Sequence, residues 1–146
     1  MDTESVHRLR VVIARLARRL NVSATHEGLT PTQASVLGWA VKLGPVSGPE
    51  LVETEGIHPT MLSRVVTRLD ELGLIERLPN PNDARIIMIR GTQQGAATHN
   101  RIKAERAAIV SACVDELDSD EAAAILAALP ALESLAERLQ ATRAYV

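Results

Sequence analysis

Between residues 57 and 90 the hydrophobic pattern of the chain changes period. Leu62, Val65, Val66, Leu69 and Leu72 recur at steps of three and four, the spacing that lays apolar side chains along one face of an α-helix. Thr60, Met61, Ser63, Arg64, Thr67 and Arg68 fall on the other face. Gly73 stands where a left-handed C-cap would stop that helix. Two short apolar runs follow, 74–78 and 86–89, and they predict a pair of antiparallel strands. The intervening PNPNDAR holds two prolines, which cannot donate to a strand ladder, and an Asn-Asp pair that tolerates turn geometry. The stretch therefore predicts helix, strand, tight loop, strand.

On the N-terminal side, Val6, Leu9, Ile13, Leu16 and Leu20 alternate three and four apart, like a coiled-coil seam over 4–22. Arg8, Arg15, Arg18 and Arg19 lie off that seam and suit either a solvated face or phosphate contact. Thr30-Pro31-Thr32-Gln33 is a capping box with proline at the first helical position, opening a helix that carries Leu37, Ala40 and Val41 inward and ends at Gly44-Pro45. Ser47-Gly48-Pro49-Glu50 repeats the device for a short helix over 49–55, with Gly56 as the turn. A helix-turn-helix results, its second helix being the one described first. Beyond the hairpin, Thr92 can cap a long helix reaching about 117, with Ile102, Ile109 and Cys113 on one face. Asp118 and Glu121 are spaced as a capping box for a last helix, striped by Leu126, Leu129, Leu132, Leu135 and Leu139. Pro130 is expected to kink that helix. The predicted fold class is mainly α with a small β-hairpin wing, one domain over 1–146. The terminal seams exceed what so small a head needs. They predict packing against a second subunit around a two-fold axis or an intrachain bundle, and periodicity alone leaves both open.

Composition narrows the chemistry. Phe is absent and aromatics make up 1% of 146 residues, so the core must be Leu, Ile, Val and Ala, and single-strand binding by base stacking is disfavoured. A net charge of -2 and a pI near 6.1 mean that any nucleic-acid contact must use local basic patches. Cys113 is the single cysteine, without an intramolecular disulfide partner; amid apolar residues it reads as a small core hydrophobe rather than a redox sensor. His7, His26, His58 and His99 are scattered, with no second cysteine to complete a zinc set, so no metal site is expected. No Ser-His-Asp, paired-carboxylate or glycine-rich phosphate motif is present, so neither catalysis nor a cofactor is expected. The N-terminus lacks the apolar core of a signal peptide and no apolar run could span a membrane, which predicts a soluble, cytoplasmic protein.

A helix exposing hydroxyls and arginines beside a hairpin tipped with Arg85 suits a duplex groove and its phosphates. Residues 29–95 resemble the winged helix-turn-helix of MarR-type transcription regulators, which carry an Asp-x-Arg signature in the wing and a trailing Thr and Gly. Here these are Asp83-Ala84-Arg85, Thr92 and Gly95. The resemblance implies a winged core over about 29–91 and a homodimer held by helices over about 4–22 and 92–143. Its interface would draw on Val6, Leu9, Ile13, Leu126, Leu129, Leu132 and Leu135. It also implies repression of a palindromic operator in double-stranded DNA, relieved by a small-molecule effector. The effector would sit in a crevice to which His7, Arg10 and Trp39 are candidates; for Trp39 a structural interface is the favoured role.

The DNA-binding candidates are Thr60, Met61, Ser63, Arg64, Thr67, Arg68 and Arg85. Arg64 could pair bidentately with guanine or clamp a phosphate, and Arg85 would enter the adjacent minor groove. Asp83 is expected to pair with Arg85 or Arg77 and fix the wing's shape. Three positions depart from the family pattern. Glu55 replaces a buried Leu, which puts the packing of the third helix in question. His58 stands where Ser or Asp would cap the recognition helix, leaving Pro59 to start it. Gly91 replaces an apolar strand residue, so the second wing strand is expected to end early. The rival reading is a winged protein-interaction module that does not read DNA.

Overall fold

The structure, a computed structural model, describes residues 1–142; residue 143, the last of the predicted dimerisation segment, lies outside them. Ten elements follow in order: α1 (Thr3–Leu20), α2 (Val22–His26), α3 (Pro31–Leu43), β1 (Val46–Ser47), α4 (Gly48–Glu55), α5 (Pro59–Glu71), β2 (Ile75–Pro79), β3 (Ile87–Gly91), α6 (Gln93–Asp115) and α7 (Ser119–Thr142).

Both capping boxes form. Thr30 Oγ1 accepts from the Gln33 amide at 3.2 Å while Gln33 Oε1 accepts from the Thr30 amide at 3.0 Å, and Ser47 and Glu50 do the same at 3.2 and 3.1 Å. Gly56, at φ 67°, ends α4 in the left-handed region, which glycine enters without Cβ cost. Asp118 and Glu121 cap α7 reciprocally, and that helix runs continuously through Pro130.

The sheet has the order β1-β3-β2 and is antiparallel throughout. Ile75 stands opposite Gly91 and Leu78 opposite Met88, while Val46 of β1 stands opposite Ile89. Two elements escaped the sequence pattern. β1 has two residues, too few for an alternation to show, and α2 has five, too few for a helical stripe. The expected early end of the second wing strand is corrected: β3 continues to Gly91. A Cβ there would meet Val41 Cγ2 at 2.6 Å and Val41 Cα at 3.2 Å. Glycine is needed because α3 lies directly against the strand.

The core sits where α3, α4, α5 and the sheet meet. Leu37, Leu51, Leu69 and Ile75 are fully buried, and Leu62, Val65 and Val66 of α5 join them. Removing such side chains from water contributes about 1.5 to 3 kcal/mol each. The arms differ. Neither α1 nor α7 contributes a buried residue, and Val6, Ile13, Leu126, Leu129 and Leu132 are exposed, so within one chain the seams do not close into a bundle. Cys113 corrects another expectation: it is exposed. The head covers only the first half of α6, whose buried residues are Gly95, Thr98 and Ile102, and Cys113 lies beyond that cover.

Candidate nucleic-acid interface

The recognition helix α5 spends its apolar face on the core and leaves the other free. Thr60, Met61, Ser63, Arg64, Thr67 and Arg68 are all exposed. Its N-cap, His58, makes no side-chain capping bond, and Pro59 occupies the first turn, as its departure from the usual cap suggested. Arg64 does not stand alone. Together with Thr60, Met61 and His58 it lines a 430 Å³ cleft closed by Thr30, Thr32 and Gln33 at the start of α3. These three were not singled out from the sequence; their capping role had accounted for them, and their proximity to Arg64 depends on the crossing of α3 and α5.

The wing presents Arg85 at its tip. Asn80 Oδ1 accepts from the amides of Asn82 and Asp83 at 2.8 and 3.3 Å, an Asx turn that shapes the loop. The Asp83 carboxylate then accepts from the Arg85 amide at 3.0 Å, from its Nε at 3.1 Å and from its Nη2 at 3.2 Å. The Arg85 side-chain and backbone bonds hold the Asp83 carboxyl below the usual carboxylate range. The Arg85 side chain is still 90% exposed, oriented by its partner and open to solvent.

Of the two partners anticipated for Asp83, Arg85 is the one engaged. Arg77 turns the other way, donating to Thr67 Oγ1 at 3.1 Å and lying 3.4 Å from Asp70. It ties β2 to α5. Asp70 was not anticipated, because only the return of the strand across the helix brings it within reach. Ser63, Arg77 and Arg85 line one 460 Å³ cleft between α5 and the wing, floored by Leu62, Val66 and Ile87. Helix face and wing tip thus form a continuous concave, hydroxyl- and guanidinium-bearing surface. Arg68 lies 3.7 Å from Glu71.

Glu55 packs through polar contacts instead of the apolar ones its position suggested. Its Oε2 accepts from the Ser35 hydroxyl at 2.7 Å and from Trp39 Nε1 at 3.2 Å, which satisfies the indole N–H of a half-buried ring. Trp39, Ser35, Thr54 and Glu55 line a 380 Å³ cleft with Leu139 and Gln140. His7 and Arg10 are exposed on α1 and do not line it, so one chain does not bring the three crevice candidates together.

A helix-turn-helix buttressed by a three-stranded wing, with the polar face of its second helix exposed, defines a winged helix-turn-helix protein. The model of the MarR family matches residues 29–87 of the chain. It is 27% identical over 113 residues to the HTH-type transcriptional repressor MdtR of Bacillus subtilis, covering 77% of this chain and 73% of that protein. Across three curated relatives the coverage of the relative is 66%, 73% and 66%, below two thirds in two of them. Among solved structures, wild-type MarR of E. coli in its apo form is similar with a TM-score of 0.75 at 25% identity, covering 90% of this chain and 97% of that one. FabT of Streptococcus pneumoniae in complex with DNA shares the fold with a TM-score of 0.73 at 18% identity, covering 94% and 99%.

Proposed function

We propose that the protein is a sequence-specific, double-stranded-DNA-binding transcriptional regulator that acts as a homodimer on a palindromic operator. The observation that carries this reading is the division of α5. Leu62, Val65, Val66 and Leu69 are buried, while every hydroxyl and guanidinium of the helix's other face is exposed beside Arg85. Such a helix enters a major groove and such a wing reaches the neighbouring minor groove. The exposed apolar seams of α1 and α7 support a dimer. Two recognition helices related by a two-fold axis would meet half-sites about 34 Å apart. Repression is proposed from a relative that is a transcriptional repressor, and release by a small-molecule effector from what the resemblance of residues 29–95 implies. Among the described residues no helix is long and apolar enough to cross a membrane, in keeping with work on cytoplasmic DNA.

The test is selection of bound sequences from random duplexes by the purified protein. Enrichment of an inverted repeat is expected. Recovery of no inverted repeat overturns the reading.

A further inference from the structure

The start of α5 breaks a local rule of helix formation, on the surface that faces the duplex in the proposed complex. Position 58 is the N-cap, where a Ser or Asp side chain would accept from the helix's first amides, yet His58 makes no side-chain capping bond. Its imidazole is exposed, and among the described residues that ring joins no hydrogen bond or ion pair. Sequences break such rules most often where a side chain serves function instead of fold. The imidazole shares its cleft with Arg64, Thr60 and Met61 of α5 and with Thr30 and Thr32 of α3. The neighbouring cleft, which reaches Pro59, carries the guanidiniums of Arg77 and Arg85. No carboxylate lines either one. Glu55, three residues before His58, accepts from Ser35 and Trp39, while Glu53 and Glu137 line a third cleft that does not include His58. The charged groups lining the clefts beside His58 are therefore arginines alone, and neither cleft offers an imidazolium a counter-charge.

We infer that His58 is a titratable DNA contact: its imidazolium donates to a backbone phosphate of the operator, so operator affinity rises as pH falls. The inference rests on the DNA binding in the proposed function and adds to it one contact residue and one form of regulation. Residues at the start of a recognition helix are the ones delivered to the duplex. A phosphate supplies both the acceptor and the counter-charge that the free head lacks. Imidazole is the side chain whose charge ordinarily changes between about pH 5 and about pH 8, so each head takes up a proton as it docks. The complex then holds more protons than its free components, and affinity strengthens as pH falls through that range and fades as pH rises. Phosphates are common to every sequence, so the contact tightens binding without choosing bases.

The test is affinity for the selected operator by fluorescence anisotropy, from about pH 8 to about pH 6, for the native full chain, His58→Gln and His58→Ser. The native protein should bind at least about tenfold more tightly at the lower pH, two heads each gaining a contact. Its salt slope should steepen there by up to about 0.9 for each head. Both variants should lose this pH dependence although they keep His7, His26 and His99. His58→Ser also separates function from fold: by thermal melting it should be at least as stable as the native chain, yet bind more weakly at the lower pH. A native affinity that does not change with pH, or a pH dependence that survives in either variant, overturns the inference. So does a changed base preference when His58→Gln selects from random duplexes at the lower pH, because His58 would then read bases. Failure of the native chain to enrich any inverted repeat at either pH overturns the DNA reading itself, a separate outcome.

Discussion

Asp83 and Arg85 show how much one pair can organise. Three donors of Arg85 converge on one carboxylate, so the guanidinium leaves the wing in a fixed direction although it is almost fully solvated. Arg85→Ala should abolish most of the wing's contribution to DNA affinity, and Asp83→Ala should weaken binding with the fold intact. Fluorescence anisotropy on the selected operator checks both, and unchanged affinity for Asp83→Ala would remove the orienting role. His99 carries a pH prediction. It packs against Gly38, where a Cβ would meet its Cε1 at 3.1 Å. Burial first, then Lys42, Lys103 and Arg106, hold its imidazole below the ordinary value of 6.5. The folded chain therefore binds fewer protons there than the unfolded one, so this stability is present above that ordinary value and is lost as pH falls below it. Urea midpoints at about pH 7.5 and about pH 5.5 should diverge in the native chain and diverge less in His99→Gln. Residue-scale legibility was uneven. The Asp-x-Arg triplet was visible because its partners are two positions apart. The contacts of Arg77 with Asp70, and of Glu55 with Ser35 and Trp39, were not, because they join separate elements and no local spacing encodes them.

At the scale of elements, local chemistry specified most boundaries. The boxes at Thr30 and Ser47, the Thr92 cap and the stripe of α5 place those helices within a residue or two of the structure. β1 and α2 were illegible because both exist through what they pack on: β1 pairs with β3, and α2 lies against α3 and α6. The start of α5 is its weakest joint. His58→Ser should supply the missing acceptor and raise stability by about 0.5 to 1 kcal/mol, read as a higher thermal midpoint. Gly95 is the opposite case. A Cβ there would lie 1.9 Å from the Leu74 carbonyl oxygen, so Gly95→Ala must push α6 off the turn that leads into β2. It should cost about 1 to 3 kcal/mol by denaturant titration, the range for overpacking a tight contact.

At the scale of the whole molecule, the sequence located the reading head and both arms but left open whether the arms closed on themselves. In the structure neither α1 nor α7 contributes a fully buried residue within one chain, because the head's core is already complete without them. For the proposed operator complex, log K should fall with log salt by about 0.9 per phosphate contact, and Arg64→Ala and Arg85→Ala should each flatten that slope by about one. Slopes identical to the native protein's would mean that neither side chain neutralises a phosphate. An effector can weaken the complex only to the extent that it prefers an arrangement the operator does not fit.

The junction at Thr92 bears on what such a rearrangement requires. Its hydroxyl donates to the Gly73 carbonyl at 2.7 Å and accepts from the Gly95 amide at 3.0 Å, while its own amide donates to Leu74 at 3.0 Å. The end of α5, the root of the wing and the start of α6 are thereby fastened at one point, and α6 becomes a lever roughly 35 Å long with the reading surface fixed to its base. A tilt of about five degrees about the far end of such a lever carries its base through about 3 Å. Nothing at the DNA-facing surface need be reshaped: in the proposed dimer, a slight swing of the arms would change the spacing of the two heads and put the half-sites out of step.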